Sequence, residues 1–304
     1  MTANRMRTDD IRAQRSSRMH GTTGHKAAIS PRIVPAREVA AIPVEELALL
    51  ARDGVATMLA NRLGRPSARK PRSGVDVTHL IPRHTAMRIS FLHTMDGNRQ
   101  VFEQAAKTLG LRAEDLQHEV RTDLREAVDQ AGTFSDELRA QTNQRLLALA
   151  ADSDAVILTC ATLGPAVADI RSPRVPIVRA DVALAAAAAE AGGKIVVLCA
   201  AESAIESARK LFAEHASKSA ASVEVLHVGH VWALFRAGDI QACLAATALS
   251  ADEAYEASAT LVAFAHPWMA PAADLVQKGR RPLDSPSAAL HVAMRRFSER
   301  SGHA

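Results

Sequence analysis

The chain has 304 residues, of which 48% are hydrophobic and 23% are charged, proportions that exclude a wholly disordered or fibrous protein. Aromatic residues make up only 3%, which argues against a surface that stacks nucleic-acid bases or sugars. The net charge of +4 is uneven, because residues 1–85 hold 15 basic and 7 acidic side chains. The length predicts one large two-lobed domain or two small domains.

Residues 1–85 are predicted to form a basic extension. Its first 34 residues are rich in Arg, Ser, Thr and Gly without apolar spacing, which is typical of a solvated tail. Apolar side chains then recur every three or four positions between Pro43 and Leu63, which predicts one amphipathic helix, and a basic linker follows at 65–72. We expect no nucleic-acid partner from this tail alone and no chemistry from the extension.

The cysteines and the apolar runs bear on where the protein works. No run approaches the roughly 20 apolar residues that cross a bilayer, and the first thirty positions lack the apolar segment of a secretory signal. We therefore expect a cytoplasmic protein without a membrane partner. The three cysteines, Cys160, Cys199 and Cys243, share no close spacing, so neither a disulfide framework nor a metal knuckle is predicted.

From Met87 onward, short aliphatic runs alternate with amphipathic helical stretches, as in a parallel sheet covered by helices on both faces. The pattern occurs twice, so the sequence predicts an α/β fold of two pseudo-symmetric, doubly wound parallel-sheet lobes. Lobe 1 is assigned to residues 86–181, lobe 2 to 182–282, and a C-terminal segment, 283–304, is expected to return to lobe 1. The predicted strands are Met87–Leu92, Gln117–Val120, Ala155–Leu158, Ile177–Val178, Ile195–Leu198, Val223–Val228 and Leu261–Phe264.

Candidate site residues are those that follow the strands, because ligands of open parallel sheets bind outside the carboxyl ends. Cys160 precedes a predicted helix, whose amides and dipole would favour the thiolate. His266 ends an otherwise apolar strand, so its side chain needs a hydrogen-bond partner or a cavity. The candidate substrate-binding residues are His93, Thr94, Thr162, Asp181, Ser203 and Ser285.

Other chemistries receive less support from the sequence. Cys199 ends a strand without an obvious partner and is predicted to be buried, and Cys243 is predicted to lie in the core. His227 and His230 do not share a helical face and have no third ligand nearby, so no metal site is assigned. The chain lacks the glycine-rich nucleotide motifs and a lysine placed for a Schiff base, so we expect no cofactor.

Four segments carry a resemblance to a known family. Ile89–Thr94, Val156–Pro165, Pro176–Asp181 and Ala265–Ala270 resemble the aspartate/glutamate/hydantoin racemase superfamily, and the resemblance covers roughly residues 87–300. It implies a cofactor-independent isomerase of two lobes with a small carboxylate substrate between them. In the racemases of this group a cysteine from each lobe faces the substrate carbon. Cys160 matches the first of these, and Thr162 and Ser203 match carboxylate-binding hydroxyls.

The chain departs from that family where the second cysteine is expected, because His266 aligns there. The leading hypothesis is a racemase or epimerase in which Cys160 and His266 exchange a proton on opposite faces of the substrate carbon. The superfamily also includes single-cysteine decarboxylases and cis-trans isomerases of small dicarboxylates, which would use Cys160 alone. A third hypothesis is a non-catalytic relative that binds a carboxylate. Paired lobes often dimerise, so a homodimer stays open.

Overall fold

The computed structural model describes residues 87–301, so the predicted tail, the predicted helix Pro43–Leu63 and the basic linker lie outside the described residues. The described strands are β1 Ile89–His93, β2 Leu116–Val120, β3 Ala155–Leu158, β4 Ile177–Arg179, β5 Lys194–Cys199, β6 Ser222–His227, β7 Leu261–Phe264 and β8 Leu283–Asp284. The described α-helices are α1 Gly97–Thr108, α2 Thr122–Ala131, α3 Asp136–Ala151, α4 Ala180–Ala191, α5 Ile205–Ala216, α6 Gly229–Arg236, α7 Ile240–Glu256 and α8 Ser285–Ser301.

The eight described strands form two parallel sheets with the same topology. The first sheet has the order β2-β1-β3-β4, and the second has the order β6-β5-β7-β8. The predicted α/β class with two pseudo-symmetric lobes is therefore confirmed. All seven predicted strands are present, whereas β8, which has only two residues, was not predicted.

Three apolar clusters cover both faces of each sheet. The shared cluster lies between the sheets and takes Ile89 and Ile157 from the first sheet and Ile195 and Leu261 from the second. A lobe 1 cluster and a lobe 2 cluster cover the outer faces. Alternate residues of β3 enter different clusters, as the two-residue period of a strand requires. Both lobes are therefore doubly wound.

Two helices fill the space beside the shared cluster. Eight of the twelve residues of α4 are alanines, and their small side chains let neighbouring elements approach closely. The C-terminal helix α8 packs against α1 and β3 of lobe 1, against β8, and against α4, the helix that joins the two lobes. Within residues 87–301, no helix is both long enough and apolar enough to cross a membrane.

Candidate active site

Cys160 and His266 occupy equivalent positions in the two lobes. Cys160 lies two residues after the end of β3, and His266 lies two residues after the end of β7. The residue before each one donates its amide to a carbonyl of the adjacent strand, β1 or β5, at 3.1 Å and 3.0 Å respectively. The fold thus repeats the local backbone geometry and presents both side chains at carboxyl ends of strands.

Cys160 lies in a mostly apolar setting. Its residue is 9% exposed, and it packs in the lobe 1 cluster with Leu92, Leu158 and Leu163. Within residues 87–301, no hydrogen-bond partner contacts its thiol. The helix predicted to follow it is a 3-10 segment of six residues, Gly164–Asp169, which begins four positions later. The expected stabilisation of a thiolate by an α-helix dipole is therefore not provided by the structure.

The turn that follows Cys160 is braced by Arg179. A Cβ atom on Gly164 would lie 2.5 Å from the guanidinium carbon of Arg179, so only glycine permits this close approach. The same guanidinium binds both carboxylate oxygens of Asp181, at 3.1 Å and 2.6 Å. Asp181, a predicted substrate-binding residue, is therefore engaged in an ion pair that supports the turn.

His266 is held as a neutral ring by the backbone of lobe 2. Its Nε2 atom accepts hydrogen bonds from the amides of Ala200 and Ala201, at 3.1 Å and 3.2 Å. Because Nε2 is an acceptor, the proton of the neutral ring is on Nδ1. Burial, and then the positive charge of Arg125, lower the pKa of His266 to about 4, so the ring is uncharged at neutral pH.

This arrangement changes the chemistry that the sequence predicts for His266. A general base needs a free lone pair, and the lone pair on Nε2 is already shared by two amide donors. The same contact occupies the amides of Ala200 and Ala201, which lie in the same loop as Ser203, a predicted substrate-binding residue. In this structure, His266 offers a hydrogen-bond donor at Nδ1 and does not offer a proton acceptor.

Cys199 lies beside His266, contrary to the prediction that it has no partner. Its Sγ atom is 3.7 Å from Nε2 of His266 and 3.5 Å from the carbonyl oxygen of Ala201. Cys199 is fully buried, as predicted, and burial raises the pKa of its thiol to about 11. It therefore remains a neutral thiol at physiological pH.

Arg125 is a candidate that the sequence did not indicate. This α2 residue places Nη1 3.7 Å from Sδ of Met95, and Met95 packs against the lobe 2 cluster. Its Nε atom is buried without a hydrogen-bond partner in the described part of the chain, and the Asp129 carboxylate lies 3.4 Å away. The positive charge of Arg125 is the second cause of the lowered pKa of His266. Arg125 of lobe 1 thus contacts Met95, a residue that packs against lobe 2.

An aromatic wall lies beside His266. The ring of Trp268 is parallel to the His266 ring within 4° at a centroid distance of 5.3 Å. Phe235 stacks on Trp268 at 4.2 Å, and Trp232 lies 6.1 Å from Trp268. Both tryptophans of the chain contribute to this wall. The surroundings of His266 are consequently flat and apolar on the side of Trp268.

The remaining candidates separate into exposed and buried residues. Thr162 and Ser203 are exposed in the turns after β3 and β5, where a ligand can reach them. Thr94 and Ser285 are buried, and the Ser285 hydroxyl has no hydrogen-bond partner among the residues that the structure describes. His93 is fully buried with both ring nitrogens engaged, so it lies inside lobe 1 and not on a cleft surface. Residues 87–301 contain no group of three potential ligands that could hold a metal ion.

No family model matches the sequence, and a comparison with curated proteins returns no match. Among solved structures, a glutamate racemase isoform from Bacillus anthracis matches with a TM-score of 0.51 and 12% identity, over 71% of this chain and 84% of that chain. An aspartate racemase homologue from Pyrococcus horikoshii matches with a TM-score of 0.51 and 11% identity, over 70% and 99% of the two chains. The chain has the fold of these racemases.

The racemase fold accounts for the described residues. Its two lobes are the two four-stranded sheets with their helices, and Cys160 and His266 follow equivalent strands of it. Identities of 11% and 12% show a shared fold, whereas the chemistry depends on the residues at the strand ends.

Proposed function

We propose that the protein is a cofactor-independent enzyme that transfers a proton at the carbon next to a carboxylate of a small organic acid, with Cys160 as the proton-transferring group. The observation that carries this proposal is the pair of amide hydrogen bonds to Nε2 of His266. These hydrogen bonds occupy the basic nitrogen of His266. Of the two residues at equivalent positions, Cys160 is therefore the one proposed to exchange a proton with the substrate.

One thiol supports proton transfer on one face of the substrate carbon. With a substituted malonate, one carbon–carbon bond breaks, carbon dioxide leaves, and the remaining enolate takes the proton of the Cys160 thiol. The thiolate then regains a proton from water. With an acid that carries an α-proton, the thiolate removes that proton and returns one to the same face, so solvent hydrogen enters without inversion.

The developing negative charge needs stabilisation, and Arg125 is the residue proposed to supply it. A guanidinium presents donors in a planar fork that matches a carboxylate. Among residues 87–301 the buried Nε of Arg125 has no hydrogen-bond partner, and its ion-pair partner is the Asp129 carboxylate at 3.4 Å. His266 adds its Nδ1 donor, and the exposed hydroxyl of Thr162 lies two residues from Cys160. The proposed substrate is therefore an anion, and the aromatic wall favours an apolar or planar substituent.

A racemase or epimerase is the second candidate, because Cys160 and His266 occupy equivalent positions after β3 and β7. Racemisation needs a proton exchanger on each face of the carbon. His266 would then have to release the amides of Ala200 and Ala201 so that Nε2 could accept a proton. The two candidates differ in stereochemistry, since only the second converts one enantiomer into the other.

The test is incubation in heavy water with separate enantiomers of aspartate, glutamate and 5-substituted hydantoins, together with phenylmalonate. NMR reports deuterium at the α-carbon, and chiral chromatography reports configuration. We expect one of two outcomes, which are decarboxylation or deuterium labelling of the α-carbon without inversion. Cys160→Ser should abolish either activity, and His266→Gln should retain most of its rate. Cys199→Ala is the matched control, since it removes a buried thiol at another strand end. Turnover unchanged by Cys160→Ser would refute the proposal, and inversion that requires His266 would favour the racemase.

A further inference from the structure

A row of buried polar side chains runs through lobe 1 next to Cys160. His93, the last residue of β1, is fully buried, and its Nδ1 lies 3.0 Å from the hydroxyl of Thr159. Its Nε2 lies 2.9 Å from Nδ1 of His118 on β2. Thr159 is the residue before Cys160, and its hydroxyl also lies 3.2 Å from the carbonyl oxygen of Leu92. The row therefore ends at the turn that carries the thiol.

The other end of the row reaches the surface of α1. The side chain of His118 is 4% exposed, and its Nε2 atom has no hydrogen-bond partner between residues 87 and 301. The nearest carboxylate oxygen, on Glu103, lies 3.8 Å from that atom. Glu103 is 41% exposed and accepts a hydrogen bond from Arg99 at 2.9 Å. The hydrogen-bonded row thus runs from the end of β3 to His118, and the solvent-facing carboxylate of Glu103 lies within ion-pair distance of its outer end.

Both imidazoles in the row are neutral. Burial, followed by the charges of His118 and Arg99, lowers the pKa of His93 to about 3. Burial lowers the pKa of His118, although the carboxylate of Glu103 opposes that shift. Two neutral rings can point their N–H groups in either direction along the row, and each direction preserves the contact between His93 and Thr159. The Thr159 hydroxyl is therefore held in place across the physiological pH range.

We propose that His93 and His118 are positioning residues that fix Thr159 and, through the adjoining peptide, the orientation of the Cys160 thiol. This inference rests on the proposed function, in which that thiol transfers the proton. The Cys160 thiol has no hydrogen bond within residues 87–301, so its orientation depends on the backbone of the turn that carries it. A misplacement of about 1 Å costs on the order of 100-fold in rate, which makes the orientation of this turn consequential.

The competing explanation is that the two histidines only fill space. The ring of His118 stacks on Phe91 at 4.6 Å, and that of His93 lies 5.7 Å from Phe91, so both rings contribute to packing. A packing role depends on ring volume, whereas a positioning role depends on the bond between His93 and Thr159. Variants that preserve or remove that bond at similar volume separate the two explanations.

Two variant pairs make this separation. Thr159→Ser keeps the hydroxyl, and Thr159→Val keeps the shape without it. His93→Asn places an amide group near the position of Nδ1, whereas His93→Gln reaches the position of Nε2 and gives up the contact with Thr159. Circular dichroism and the melting temperature establish that each variant is folded. If Thr159→Val does not fold, the two His93 variants decide the matter.

The first readout is alkylation of Cys160 by iodoacetamide, followed by mass spectrometry of the digested protein, which needs no substrate. Cys199 and Cys243, both buried, serve as internal controls in the same digest. We expect the alkylation rate of Cys160 in Thr159→Val and His93→Gln to differ at least fivefold from wild type. Thr159→Ser and His93→Asn are expected to stay within about twofold.

The second readout is kcat on whichever acid of the heavy-water panel is turned over. The two variants that lose the bond are expected to lower kcat at least tenfold with KM within about threefold, and the two that keep it to retain kcat. Equal alkylation and equal kcat across each pair would overturn the positioning role. Turnover that survives Cys160→Ser would instead overturn the proposed function, while the alkylation rates would still decide whether the row orients the thiol.

Discussion

The neutral state of His266 predicts how the stability of the fold depends on pH. The pKa of a histidine in the unfolded chain is 6.5, whereas burial, and then the charge of Arg125, lower it to about 4 in the folded protein. The unfolded chain therefore binds the proton first as the pH falls. The stabilisation is complete above pH 6.5 and is lost progressively toward pH 4. Between pH 7 and pH 5 this residue accounts for about 2 kcal/mol of the free energy of unfolding.

The assay is urea unfolding at pH 7 and pH 5 for the wild type and His266→Gln. Glutamine can accept the amides of Ala200 and Ala201 but does not titrate, so the variant should lose about 2 kcal/mol less than the wild type between the two pH values. His93 contributes in both proteins, so its effect cancels in the difference. Trp268→Phe is the control, because it alters the stacking partner and keeps the titrating ring. The same pH dependence in His266→Gln and wild type would refute the reasoning.

Three further substitutions test other contacts. Arg125→Gln removes the proposed partner of the substrate carboxylate, so it should raise KM for an anionic substrate about tenfold with a smaller effect on kcat. An unchanged KM in steady-state kinetics would contradict that role. Gly193→Ala should lower the free energy of unfolding by about 1–3 kcal/mol in urea, because φ is +78° and a Cβ would lie 2.3 Å from the Thr260 hydroxyl. Asp239→Ala should cost about 1 kcal/mol, since Asp239 caps α7 by accepting the Ala242 amide at 3.1 Å; no loss would show that solvent replaces the cap.

The architecture was predictable because strands that are buried on both faces have short, aliphatic sequences. All seven predicted runs became strands, and their repeated order indicated the two lobes. The strand β8 was missed because Leu283 and Asp284 alone make no run. The helix predicted after Cys160 is the 3-10 segment Gly164–Asp169, and a second 3-10 segment, Pro267–Asp274, follows His266. Local patterns thus predicted where an element begins better than what kind of helix it is.

The arrangement of the site was less predictable, because it depends on contacts between residues far apart in the sequence. His266 was identified from its place after an apolar strand, but its role depends on the amides of Ala200 and Ala201, more than sixty positions earlier. Arg125 lies on a helix surface where arginine is ordinary, so no local signal distinguishes it. His93 was predicted to bind substrate because it ends a strand, whereas its partners His118 and Thr159 hold it inside lobe 1.

The most direct test of single-thiol chemistry is the configuration of substrate recovered from heavy water. Each enantiomer of a responsive acid is incubated separately, and its α-deuterium content and configuration are measured together. We predict that one enantiomer gains deuterium and keeps its configuration, and that Cys160→Ser abolishes this gain. Interconversion of the two enantiomers at comparable rates, abolished by His266→Gln, would contradict the account.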